Sequence, residues 1–186
     1  MQKNRLIQIA ALVAVAALSQ GALAQSSGTI NFTGDIVDAP CSIAAGSQNK
    51  SVPLGKVART AFDGATAGTA TVGKHAPAAD FTIDLLGCGA TAKGATVTFS
   101  GTADADDATV LRIANAGQVG VTAASGVGIE IGDSAGTKIA LGSASGQYAL
   151  GQGDNSLKFK ASYVATKTAV TTGPANSTAQ FTVAYK

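Results

Sequence analysis

The chain has 186 residues, with 13 Lys and Arg against 11 Asp and Glu, one histidine, two cysteines and no tryptophan. A charge this nearly balanced gives no basic excess to grip a nucleic-acid backbone. One histidine and two cysteines are too few for a usual zinc shell, and a single histidine leaves little choice of base for nucleophilic catalysis.

Lys3 and Arg5 open the chain, residues 6–18 are almost wholly apolar, and Ala22-Leu23-Ala24 has a small-x-small pattern. This is the build of a signal peptide over residues 1–24, with cleavage after Ala24. The apolar run falls short of the roughly 20 residues a spanning helix needs, which disfavours a membrane anchor. Removing the leader would leave 162 residues (186 less 24) and 11 basic against 11 acidic residues, a net charge of zero. That length is one domain with room for a core. A neutral chain resists self-association less than a charged one.

Residues 25–33 form an arm in which Gly28, Ile30 and Phe32 alternate with polar neighbours, in step with Ser26. A first domain strand is expected at 35–38, with Pro40 and Cys41 at its bend. Residues 51–57 read as an edge-like strand, because Pro53 cannot donate to a ladder. Residues 60–78 are rich in Gly, Ala and Thr and read as a long loop or a loop with a weak strand. Phe81, Ile83 and Leu85 alternate with Thr82 and Asp84 and run into Cys88; Val97 and Phe99 repeat the pattern. Further strands are expected at 110–113, around Val127, Ile129 and Ile131, and at 138–141, with an acidic turn at 103–108. Residues 157–163 give the clearest strand, with Leu157, Phe159, Ala161 and Tyr163 on its apolar face and Lys158, Lys160 and Ser162 on its wet face. A loop with Gly173-Pro174 precedes the last strand, where Ala179, Phe181, Val183 and Tyr185 share a face. Short strands separated by turn residues predict an all-β sandwich over 34–186.

Cys41 and Cys88 both lie beyond the leader. In an exported chain an isolated pair reads as one disulfide, worth about 4 kcal/mol in the chain-entropy model; half of a metal site is the alternative. The two ends of the chain make a further pair. A last strand with no successor leaves an open edge, and a loose strand at the other end could fill that edge on a neighbour.

Other candidate residues have plainer readings. His75, in a Gly/Ala/Pro-rich loop, reads as solvated rather than catalytic. Asp104, Asp106 and Asp107 could attract calcium but lack the glycine and glutamate of a helical calcium loop, so they read as a polar turn. Asp35, Asp38 and Asp84 read as wet-face residues, and Lys158 and Lys160 as a solubility face or a subunit contact.

Gly28-Thr29-Ile30-Asn31-Phe32-Thr33-Gly34, Val37-Asp38-Ala39-Pro40-Cys41-Ser42-Ile43 and the stretch from Phe81 through Ile83 and Leu85 to Cys88 together resemble the major pilins of the chaperone–usher pathway, the type 1 and P-type fimbrial subunits. Gly173 and Tyr185 sit where that family has its C-terminal glycine and penultimate tyrosine. The resemblance implies an incomplete immunoglobulin-like sandwich that lacks its last, G strand. It implies no enzymatic activity, cofactor or metal. Gly28, Ile30 and Phe32 would be the donor strand. Gly173, Ala179, Phe181, Val183 and Tyr185 would form the acceptor groove and the chaperone contact. The implied partners are a periplasmic chaperone, an outer-membrane usher, other copies of the chain and other pilus subunits. The implied destination is a surface fimbrium supporting cell adhesion. A minor adaptor or adhesive subunit is the alternative role.

Overall fold

Alternating apolar residues form the strands of this chain, and the computed structural model describes residues 28–34, 40–118, 120 and 122–186. The signal-peptide residues, Ser26 and the strand expected at 35–38 lie outside the described residues. Residues 28–34 carry no regular secondary structure, with Ile30 and Phe32 exposed.

From Pro40 onward the strands are β1 (Ser42–Ile43), β2 (Ala79–Cys88), β3 (Gly94–Gly101), β4 (Leu111–Arg112), β5 (Val127–Asp133), β6 (Lys138–Ile139), β7 (Tyr148–Ala149), β8 (Gly153–Ala165) and β9 (Ala179–Tyr185). One sheet has the order β1-β2-β8-β5-β4, with β6 also on β5; the other is β7-β3-β9. Every pairing is antiparallel. A four-residue helix, α1 (Ala45–Gln48), and a 3₁₀ turn, η1 (Arg59–Phe62), are the helical pieces.

The sheets meet through aromatic side chains. The Phe159 ring on β8 stacks on Phe81 of β2 at 5.5 Å and meets Phe99 of β3 edge-on at 5.1 Å. Offset and edge-on contacts at these separations suit the ring quadrupoles. Around them Ile83, Leu85, Val97, Ile113 and Leu157 are buried. Gly128, on the other face of β5 from Val127, Ile129 and Ile131, has no room for a side chain: a Cβ there would sit 2.5 Å from Val110 Cγ2. The disulfide Cys41–Cys88 is formed, with its Cα atoms 4.2 Å apart, and ties the start of the domain to the end of β2.

Two expectations need adjusting. Residues 51–57 alternate as a strand should, with Val52 and Leu54 half-buried and packed on the core, but they pair with no strand. Ser162, expected on the wet face, is buried. It faces Glu130 across the ladder, and Glu130 Oε1 reaches His75 Nε2 at 2.8 Å on that face.

Candidate functional site: an open strand edge

Among the described residues strand β9 has a ladder partner on one side only, β3. Lys186 N–H donates to Gly94 O at 2.8 Å and Gly94 N–H to Lys186 O at 3.1 Å, a doubly bonded pair. Such pairs alternate along an antiparallel ladder. Gln180, Thr182 and Ala184 therefore turn their main-chain groups to β3. Ala179, Phe181, Val183 and Tyr185 turn theirs outward, to the free edge.

Side chains at those outward-bonding positions lie on the core side. Phe181, Val183 and Tyr185 pack against the core yet are only half-buried, and Ala179 is exposed. Their direct partners on β3, Phe99, Val97 and Ala95, are 3%, 0% and 0% exposed. Along one edge, unpaired backbone and half-covered apolar side chains coincide. That is the surface an added strand would complete, giving ladder bonds and apolar cover at the same residues.

Beyond the start of β9 a cleft of about 330 Å³ opens between the 55–62 stretch and the 170–176 segment, with Phe62, Val127 and Tyr163 in its lining. Gly173 belongs to this wall and not to the accepting strand. A Cβ on it would lie 1.9 Å from Thr122 O, so only glycine lets the segment close on residues 122–124. The neighbouring Ala124 N–H donates to Pro174 O at 3.0 Å.

One phenol pegs the segment before β9 and another the far end of the strand. Tyr163 Oη donates to Ala175 O at 2.8 Å, and Tyr185 Oη to Cys41 O at 3.3 Å. Burial raises both phenols above their ordinary 10.0, so each remains a protonated donor at neutral pH. Sequence reasoning placed Tyr163 on an apolar face and missed this bond. The only advance signal was the Gly173-Pro174 turn at its far end.

The other candidates lie elsewhere. His75 bonds to Glu130, and Lys138 Nζ bridges Glu130 at 3.1 Å and Asp107 at 3.2 Å, a polar chain over the larger sheet. Burial alone would lower the Lys138 ammonium, but its bonds to Glu130 and Asp107 outweigh that and raise it. Asp104 Oδ1 accepts the N–H groups of Asp106 and Asp107, and Asp106 and Asp107 pair with Lys167 and Lys138. These carboxylates serve a turn. Asp107 is held below its ordinary value, first by the Thr109 hydroxyl, against the opposing effect of burial, then by the Thr109 N–H and Lys138. Lys160 pairs with Asp80. Among the described residues no helix is long and apolar enough to cross a membrane.

Fold and edge together define an all-β, immunoglobulin-like sandwich that lacks its last strand. The family model described as "Fimbrial protein" matches residues 30–186. The chain is 40% identical to the "Probable major fimbrial subunit LpfA" of Escherichia coli O157:H7, over 95% of this chain and 94% of the relative. It is 38% identical to a solved Burkholderia pseudomallei antigen and type I fimbria protein, with a TM-score of 0.58 over 85% of this chain and 97% of that one. A chain from a chaperone–usher pilus matches in fold with a TM-score of 0.66, at 24% identity, over 87% and 97% of the two chains. This chain belongs to the fimbrial protein family, and so is a structural subunit of a surface fimbrium and not an enzyme.

Proposed function

We propose that the subunit polymerises by strand donation, in which the arm of the next copy, residues 25–33, occupies the free edge of β9 on the copy before it. The observation that carries this reading is the match between an edge with half-covered Phe181, Val183 and Tyr185 and an arm with exposed Ile30 and Phe32. Gly28, Ile30 and Phe32 share one face of the extended arm, and only every second residue of a donor faces the groove. Burying Ile30 and Phe32 would contribute roughly 3–6 kcal/mol. Ordering the arm costs on the order of 1–2 kcal/mol per residue, so the lasting strength of a fibre rests on slow strand release. A head-to-tail contact that does not close grows into a filament.

In this reading residues 1–24 are removed on export. A periplasmic chaperone covers the β9 edge until an outer-membrane usher hands the subunit to the arm of the next. The domain is 34–186, and Gly173, Ala179, Phe181, Val183 and Tyr185 belong to the accepting side. The finished fimbrium supports cell adhesion.

The test is a pair of arm variants, Ile30→Asp and Phe32→Asp, expressed with the cognate chaperone and usher. Each is expected to fold and to accumulate with the chaperone, and to leave the cell surface without fibres by electron microscopy. Normal fibres from both would remove the arm from assembly.

A further inference from the structure

Among the described residues β9 is laddered on one side, and the segment that leads into it is held by further bonds. The exit of β9 is fixed by the Gly94–Lys186 pair. The ladder to β3 begins at Ala179; just before it, four consecutive residues are tied to four separate places. Pro174 O accepts Ala124 N–H at 3.0 Å, and Asn176 O accepts Ala114 N–H at 2.7 Å. Ser177 Oγ donates to Arg112 O at 2.7 Å, and Ala175 O accepts Tyr163 Oη at 2.8 Å.

The Tyr163 tie differs from the rest. It starts on β8, a central strand of the opposite sheet, and its ring lines the cleft that the 170–176 segment walls. The opposite sheet is thereby linked to the segment four residues before β9 begins. We propose that Tyr163 is a positioning residue for strand acceptance: its hydroxyl fixes the entry of β9 and the shape of the adjoining cleft, so the incoming arm meets an edge already extended. This rests on the strand-donation reading above. The physical ground is preorganisation. A partner binds faster and more tightly to a segment whose ordering cost has been met beforehand, and a one-sided edge strand otherwise opens locally more readily than a two-sided one.

Tyr163→Phe removes the bond and keeps the ring. The probe is a synthetic peptide of residues 25–34, added to the purified full-length exported subunit and followed by native mass spectrometry. Wild type is expected to take up one peptide per chain. Tyr163→Phe is expected to take it up about fivefold more slowly, the scale of one net hydrogen bond, and to reach the same final occupancy. Amide exchange at Ala114 and Ala124 is expected to quicken by a similar factor while the Phe159 amide stays protected. Ser177→Ala, which cuts a second tie to the same segment, is expected to slow uptake in the same way.

Tyr148→Phe is the control, because its hydroxyl makes a like bond to Lys158 O, away from β9; its uptake is expected to equal wild type. Equal uptake by wild type and Tyr163→Phe would overturn the role of Tyr163 and leave strand donation standing. So would uniform faster exchange across the core, which marks a merely structural role. A wild-type subunit that takes up no peptide would overturn both.

Discussion

Strands β8 and β9 carry the same kind of sequence and meet different fates. In each, apolar residues alternate with polar or small ones. On β8, which is laddered to β2 and β5, Leu157, Phe159 and Ala161 are 2%, 1% and 6% exposed. On β9, laddered to β3 alone, Phe181, Val183 and Tyr185 are half-buried. Alternation tells which face a residue takes. It does not tell how many neighbours will cover that face. The shortfall on β9 is the functional surface, and β8 shows what the same pattern looks like when complete.

The largest break in this comparison should come from its complete member. Phe159→Ala removes the ring on which Phe81, Phe99 and Tyr148 converge and is expected to cost about 3–5 kcal/mol. Chemical denaturation of the purified subunit would measure it. A loss below about 1 kcal/mol, the scale of a single buried methylene, would mean that β8 is not the centre of the core.

Next comes the disulfide. Replacing both Cys41 and Cys88 by serine frees a loop with a sequence separation of 47 and is expected to cost about 2–4 kcal/mol. It also loosens the segment whose carbonyl, Cys41 O, receives the Tyr185 hydroxyl. The stability loss should therefore be accompanied by faster amide exchange at the far end of β9.

Phe181→Ala should cost less than Phe159→Ala in the free subunit, about 1–2 kcal/mol, because the ring is only part-covered there. In an assembled fibre the same ring would be fully covered and the loss larger. Measuring both states sharpens the comparison directly. If the penalty is the same in subunit and fibre, no strand covers Phe181 on assembly.

Much of this was legible in the sequence. Period-two alternation marked β2, β8 and β9, and the isolated cysteines gave the disulfide. Residues 51–57 were harder. Val52 and Leu54 face the core as expected, yet the segment pairs with no strand, because alternation reports a face and not a ladder. The two-residue strands β1 and β7 are too short to show a period, and they exist because β2 and β3 offer them partners. The Tyr163–Ala175 bond joins β8 to the segment that leads into β9, a proximity that no local pattern encodes.

The smallest expected effect concerns the wet faces of the two strands. Beside β8, the Asp84 carboxylate on β2 accepts the Ser156 hydroxyl and the Thr82 hydroxyl and lies 3.8 Å from Lys50 Nζ. The Ser156 bond is the leading cause that holds Asp84 below its ordinary 3.8; burial opposes it, and Thr82, Lys50 and Ser47 add to the lowering. On β9 no such tie is present at Gln180, Thr182 or Ala184 among the described residues. A carboxyl with a lowered folded pKa binds its proton first in the unfolded chain. Its contribution to stability is present above 3.8 and is lost as pH falls through the folded value. Because the side chain is about a third exposed, solvent screens the effect and it should be modest. Asp84→Asn is expected to be slightly less stable at neutral pH and to lose less on acidification below about pH 4 than wild type does. Denaturation midpoints measured across that range would show the two curves converging. Parallel curves would mean that the wet face of β8 gains nothing from Asp84, and that the two strands differ only in how their apolar faces are covered.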